Sequence, residues 1–229
     1  VHVGMISLVK TWVATTLKEL TGLRNANKIL AVIEGHLDAI IDFLRYECKE
    51  KVASSNNQIT AELCNLIASM LIRENVGAAE GEGPAKMLAE DQDLMNALIV
   101  WSIAWSVGAN IIDTDREKFA DFCKKRFKSL LIPKFIALLN DGIYDMYLDL
   151  NKKEVRSWQS LLPDFRYDTD VPYFNILVPT VETTKYRYVL DRLMNAGNNV
   201  LFMAETGVGK SVVMNAFLNE MVAAGSTVS

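Results

Sequence analysis

The chain has 229 residues, half of them hydrophobic and 23% charged, with a net charge of −4 at pH 7. That balance excludes a disordered polymer, offers no global attraction to nucleic acid or an anionic membrane, and leaves room for one large domain or two small ones. Cys48, Cys64, Cys123 and two histidines match no metal spacing, so buried thiols in a reducing compartment are expected.

The opening, Val1-His2-Val3-Gly4-Met5, lacks the basic n-region of a signal peptide and reads as the middle of a protein. Residues 3–8 suit a short strand and 9–20 a helix. The clearest amphipathic helix is 27–48, with Ile29, Ile33, Leu37, Ile40, Ile41 and Leu44 on one stripe. His36 lies beside that stripe and is expected to be a hydrogen-bonded structural residue, not a metal ligand. Residues 59–74 repeat the pattern through Leu63, Leu66, Ile67, Met70 and Leu71. The Gly/Ala/Glu-rich stretch 75–84 has too little apolar surface to pack and reads as a surface loop.

Residues 94–112 carry no formal charge and approach the length of a membrane span. Asn96, Ser102, Ser106 and Asn110, the flanking Asp91, Asp93, Asp113 and Asp115, and the missing positive-inside bias favour a helix buried in a helical domain. A charged helix follows over 115–131, with Phe119, Phe122, Phe127, Leu130 and Leu131 inward. Its Lys124, Lys125, Arg126 and Lys128 read as the solvated face near a helix C-terminus rather than a nucleic-acid surface.

Beyond Pro133 the period shortens to two. Residues 143–150 alternate, Asn151 and Lys152 can turn, and 154–158 return, which predicts a hairpin. Pro163 and Pro172 hold 161–172 extended as a linker. A helix is expected over 181–195, then a strand over the apolar run 200–203.

Ala204, Glu205, Thr206, Gly207, Val208, Gly209, Lys210 and Ser211 come next, and a helix opens at Ser211. Strand, glycine-bearing loop and helix with Gly-Lys-Ser at the junction form the phosphate-binding P-loop pattern. Glycines let successive amides turn inward on a phosphate, and the helix N-terminus adds positive charge. Lys210 is expected at the β- and γ-phosphates of ATP or ADP, and the Ser211 hydroxyl on its Mg²⁺. Ala204 stands where the pattern has glycine, a position tolerant of a methyl group only at negative φ. Eighteen residues follow Ser211 and hold no acidic strand end, so the reading expects a piece of a longer protein, with no catalytic residue of its own and no unaided ATP hydrolysis.

These elements resemble, in order, the dynein heavy chain, a ring-forming AAA+ motor. Val3-Gly4-Met5-Ile6 is similar to the last core strand of its second AAA+ module. Residues 98–108, rich in Trp and Ser, with Arg116, Glu117, Lys118 and Phe119, resemble that module's lid and extension. Residues 174–186 resemble the entry to the third module, with Glu182 and Lys185 where the family usually has Asp and Arg. His2 stands where the family commonly has arginine, so no trans-acting finger is assigned.

The resemblance implies a mainly α lid and extension with a short β-hairpin, then the start of an α/β P-loop core. It implies three parts: 1–150 (strand, lid and extension), 151–172 (linker) and 173–229 (the incomplete next P-loop domain). Val178, Pro179 and Thr180 would approach the adenine. Partners implied are the remaining AAA+ modules of the same chain and, through the parent, microtubules and dynein accessory chains, with no nucleic acid and no membrane. The Thr-Gly-Val-Gly-Lys-Ser variant is similar to axonemal forms, implying a cilium or flagellum, with cytoplasm the alternative. Rival readings are a non-motor AAA+ remodelling ATPase, a helical interaction module with a degenerate P-loop, and an integral membrane protein using 94–112.

Overall fold

Eleven consecutive residues of one helix, 94–104, are buried on every side, and most of the first unit is arranged around them. The computed structural model describes residues 3–74, 84–164, 178–203 and 210–223. It divides into two units, Val1–Ser157 and Trp158–Ser229.

In the first unit α1 (Val3–Trp12) runs through a π-helical turn, Val13–Leu17, into α2 (Lys18–Thr21). The strand expected over 3–8 is therefore helix. Met5, Val9, Trp12, Val13 and Leu17 are all buried, and their three-to-four-residue spacing stripes one face of a continuous helix. A run of six residues does not separate strand from helix, whereas the helical register from Met5 to Leu17 does.

Gly22, at φ 79°, breaks the chain between α2 and α3 (Leu23–Glu47). That φ is open to glycine and costly for a side chain. Helix α3 buries the predicted stripe from Ile29 to Leu44. Helix α4 (Asn56–Glu74) starts under Ser55, whose Oγ accepts from the Gln58 amide at 3.2 Å. It packs on α1, and a short α5 (Pro84–Leu88) touches α2 and α4.

Helix α6 (Gln92–Trp105) contacts both α3 and α4. Trp101 is fully buried, and its indole N–H donates to the Met146 carbonyl at 3.3 Å. A helix apolar on all sides must be surrounded by protein or lipid, and here protein surrounds it. Among the described residues no helix is long and apolar enough to cross a membrane. The expected 94–112 helix stops at Trp105, and the chain continues through a 3₁₀ turn, Gly108–Asn110. Gly108 is needed there because a Cβ would collide with the Tyr144 hydroxyl and the Phe119 ring.

Helix α7 (Asp113–Phe127) sets Phe119, Cys123 and Phe127 in the core, with Phe122 stacked on Phe43 at 4.1 Å. Its basic last turn is as read from the sequence. After α8 (Ala137–Asn140) the predicted hairpin forms from β1 (Met146–Asp149) and β2 (Glu154–Ser157), antiparallel, with Leu148 opposite Val155. It has a buried inner position at Leu148 and rests on α6 and α8 through β1.

The loops at the far end of α3 and α6 are joined by polar contacts. Glu50 pairs with Arg45 and accepts from the Ser54 hydroxyl, and Asn110 Nδ2 donates to its Oε1 at 3.0 Å. Arg45 also donates to Asn56 Oδ1 and the Ser54 carbonyl, both at 2.8 Å. His36 has the structural role expected of it: Arg126 Nε donates to its Nδ1 at 3.0 Å, and Phe127 meets its ring edge-on. Cys64 and Cys123 are buried free thiols and Cys48 is half-buried; burial pushes the Cys64 thiol up to about 12.

Candidate nucleotide-binding site

The second unit carries the P-loop sequence between two helices, α9 (Val181–Asn195) and α10 (Lys210–Ala223). The predicted span of α9 matches, because its ends are marked locally. Thr180 Oγ1 accepts from the Thr183 amide at 3.1 Å, and Thr183 Oγ1 accepts in return from the Thr180 amide at 2.9 Å. This reciprocal capping box satisfies two of the amides that a helix start leaves unpaired.

Gly197, at φ 76°, ends α9: its amide donates to the Met194 carbonyl at 2.9 Å, and the Asn198 amide to the Leu193 carbonyl at 3.0 Å. A left-handed glycine with these two bonds closes the helix and turns the chain toward 200–203. Gly197 was available as a signal two residues past the last helical position.

The expected strand at 200–203 is not formed; these residues have no regular structure, and Leu201 and Met203 are 78% and 54% exposed. A strand exists only through a hydrogen-bonded neighbour, and the one sheet among the described residues is the β1–β2 hairpin. Phe202 is nonetheless anchored, meeting the Tyr186 ring of α9 edge-on at 5.6 Å. Sequence periodicity carried no sign of that pair.

Ala204, Glu205, Thr206, Gly207, Val208 and Gly209 lie outside the described residues, as does His2. The described part of the motif is its helical half. Helix α10 is described from Lys210 on, with Ser211 exposed and Val213 and Phe217 buried one turn apart, and it contacts α9. Lys210 and Ser211 are thus both helical. Where such a helix follows a phosphate loop, its unpaired first amides and positive dipole end favour an anion.

On α9, Lys185 is only 8% exposed and its Nζ lies 2.9 Å from Glu182 Oε1. Opposite charges persist at Glu182 and Lys185, where the resembled family usually has Asp and Arg. Arg192 sits over the Tyr188 ring at 4.7 Å, and Tyr188 meets the buried Trp158 edge-on. Val178 and Thr180 are exposed and Pro179 half-buried.

A helical lid followed by a P-loop unit is the layout of a AAA+ ATPase segment. The model of the dynein heavy chain AAA lid domain matches residues 29–160, and that of the P-loop containing dynein motor region matches residues 165–228. The chain belongs to the dynein heavy chain family. It is 28% identical to dynein axonemal heavy chain 6 of Homo sapiens over 218 residues, covering 93% of this chain and 5% of that protein. It is 26% identical to the ciliary dynein beta chain of Heliocidaris crassispina over 223 residues, covering 95% and 4%. It is also 27% identical to dynein axonemal heavy chain 2 of Homo sapiens, covering 83% and 4%.

The chain therefore spans about one-twentieth of the curated relatives it matches. Membership favours a motor-region segment over a remodelling factor or a bare interaction module. A P-loop motor region implies nucleotide binding, and a dynein heavy chain implies further AAA+ modules in the same polypeptide.

Proposed function

We propose that this segment couples the nucleotide state of one AAA+ module of an ATP-driven microtubule motor to the lid of the module before it. Ala204 to Ser211 hold ATP or ADP, with the amides around Gly207 on the phosphates, Lys210 at their outer end and Ser211 on Mg²⁺. Val178, Pro179 and Thr180 approach the adenine. Residues 1–150 belong to the lid and extension of the second module, 151–172 to a linker, and 173–229 to the first part of the third. Bound Mg²⁺ would supply charge neutralisation at the phosphates; the segment's own residues bind and orient.

The observation that carries this reading is the match of residues 165–228 to the P-loop containing dynein motor region, with Lys210 and Ser211 on helix α10. Its role is regulatory: occupancy shifts the angle between core and lid, a rigid-body switch biased by γ-phosphate contacts. The axonemal and ciliary names of the relatives support placement in the axoneme of a cilium or flagellum, with microtubules and dynein accessory chains as partners of the whole protein.

The test is Lys210→Ala in the complete motor. Loss of nucleotide capture at this site with altered gliding velocity supports the proposal; unchanged capture and gliding would refute it.

A further inference from the structure

A cleft of about 520 Å³ opens where α2 ends and α3 begins, walled on its other side by α5. Its lining includes Arg24, Lys28 and Lys86 against one acid, Glu90, in a chain whose overall charge is negative. Some lysines elsewhere in the unit find carboxylates, as Lys10 does Glu34, Lys51 Asp113 and Lys118 Glu47. Arg24, Lys28 and Lys86 have no ion-pair partner among the described residues. Helix α3 adds to the imbalance, since Gly22 caps it without a side-chain acceptor and its first turn holds no acid. Apolar surface accompanies the charge, with Leu23 57% exposed in the lining.

We infer that this cleft docks an acidic peptide segment of the same heavy chain lying outside residues 1–229. Charge complementarity selects carboxylates: two or three Asp or Glu side chains offset Arg24, Lys28 and Lys86, with Arg24 able to take one as a fork. The exposed Leu23 selects a peptide over a small anion, because a chain with an apolar residue between its acids covers it. The same polypeptide is favoured because the matched relatives hold some twenty times more chain, and tethering gives such a segment a high effective concentration.

Zero-length carbodiimide coupling of the intact heavy chain, read by peptide mass spectrometry, tests this without altering the fold. Amide links from Lys28 or Lys86 to an Asp or Glu outside 1–229 of the same chain are expected. Their yield should fall about tenfold in Arg24→Glu, which keeps both lysines and places like charge against the acid. Links confined to acids within 1–229, links to a separate polypeptide, no links, or an equal yield in Arg24→Glu would each overturn the inference.

Discussion

Asp91 ties the start of α6 to the turn of the hairpin through Lys153. Its Oδ1 accepts from the Leu94 amide at 3.1 Å, and its Oδ2 lies 3.3 Å from Lys153 Nζ. Lys153 sits at φ 53°, in the left-handed region, at the turn between β1 and β2. One carboxylate thus caps the most buried helix and fixes the orientation of the strand pair beside it.

Asp91→Ala should lower stability by about 1–2 kcal/mol, most of it from the lost cap and the rest from the half-exposed ion pair. Asp91→Asn keeps a capping oxygen and should recover most of the loss in urea unfolding. Equal destabilisation by both variants would mean that the pair with Lys153 dominates.

Glu50 offers a second test. Arg45, Ser54 and Asn110 converge on a largely buried carboxylate, so Glu50→Ala leaves three polar groups short of a partner. A loss of about 2–3 kcal/mol is expected, with Glu50→Gln restoring part of it. Thermal unfolding followed by circular dichroism would read the difference.

The packing of α6 is tested at Trp101. Removing the ring in Trp101→Ala should cost about 3–5 kcal/mol, since α6 is enclosed and cannot collapse fully onto the void. Trp101→Phe keeps most of the volume and loses the bond to Met146, so it should cost far less. Comparable losses would place the stabilisation in the hydrogen bond.

His36 gives the unit a pH dependence of definite sign. Burial, and next the Arg126 guanidinium, hold its pKa below the ordinary 6.5. The unfolded chain takes up the proton first. The contribution is therefore complete above about pH 6.5 and is lost as pH falls through that value toward the lower folded pKa. In His36→Gln, denaturant midpoints between pH 7.5 and 5.5 should fall less than in the wild type. Identical slopes would remove His36 from the explanation.

Much of the helical framework was legible because its apolar residues recur at helical spacing over many turns, as from Ile29 to Leu44. Capping chemistry made α9 legible to the residue, through Thr180 and Thr183 at one end and Gly197 at the other. Residues 3–8 misled because a short apolar run suits a strand or a helix alike, and the partners that reveal the helix, Val9, Trp12 and Val13, lie beyond it. Residues 200–203 misled differently: an apolar run shows what suits a strand, whereas forming one needs a neighbouring strand. The Glu50 cluster was hidden because Arg45, Ser54 and Asn110 meet only once α3 and α6 are placed. At the P-loop, residue types and spacing carried the whole reading, and the described structure adds that Lys210 and Ser211 are helical.

The most direct measurement of the central claim is amide hydrogen exchange across residues 204–214 in the intact heavy chain, with and without MgATP. Closure of the loop amides on a phosphate predicts slowed exchange over 205–211 in the wild type and none in Lys210→Ala. Exchange unchanged by MgATP in the wild type would contradict nucleotide binding at this loop.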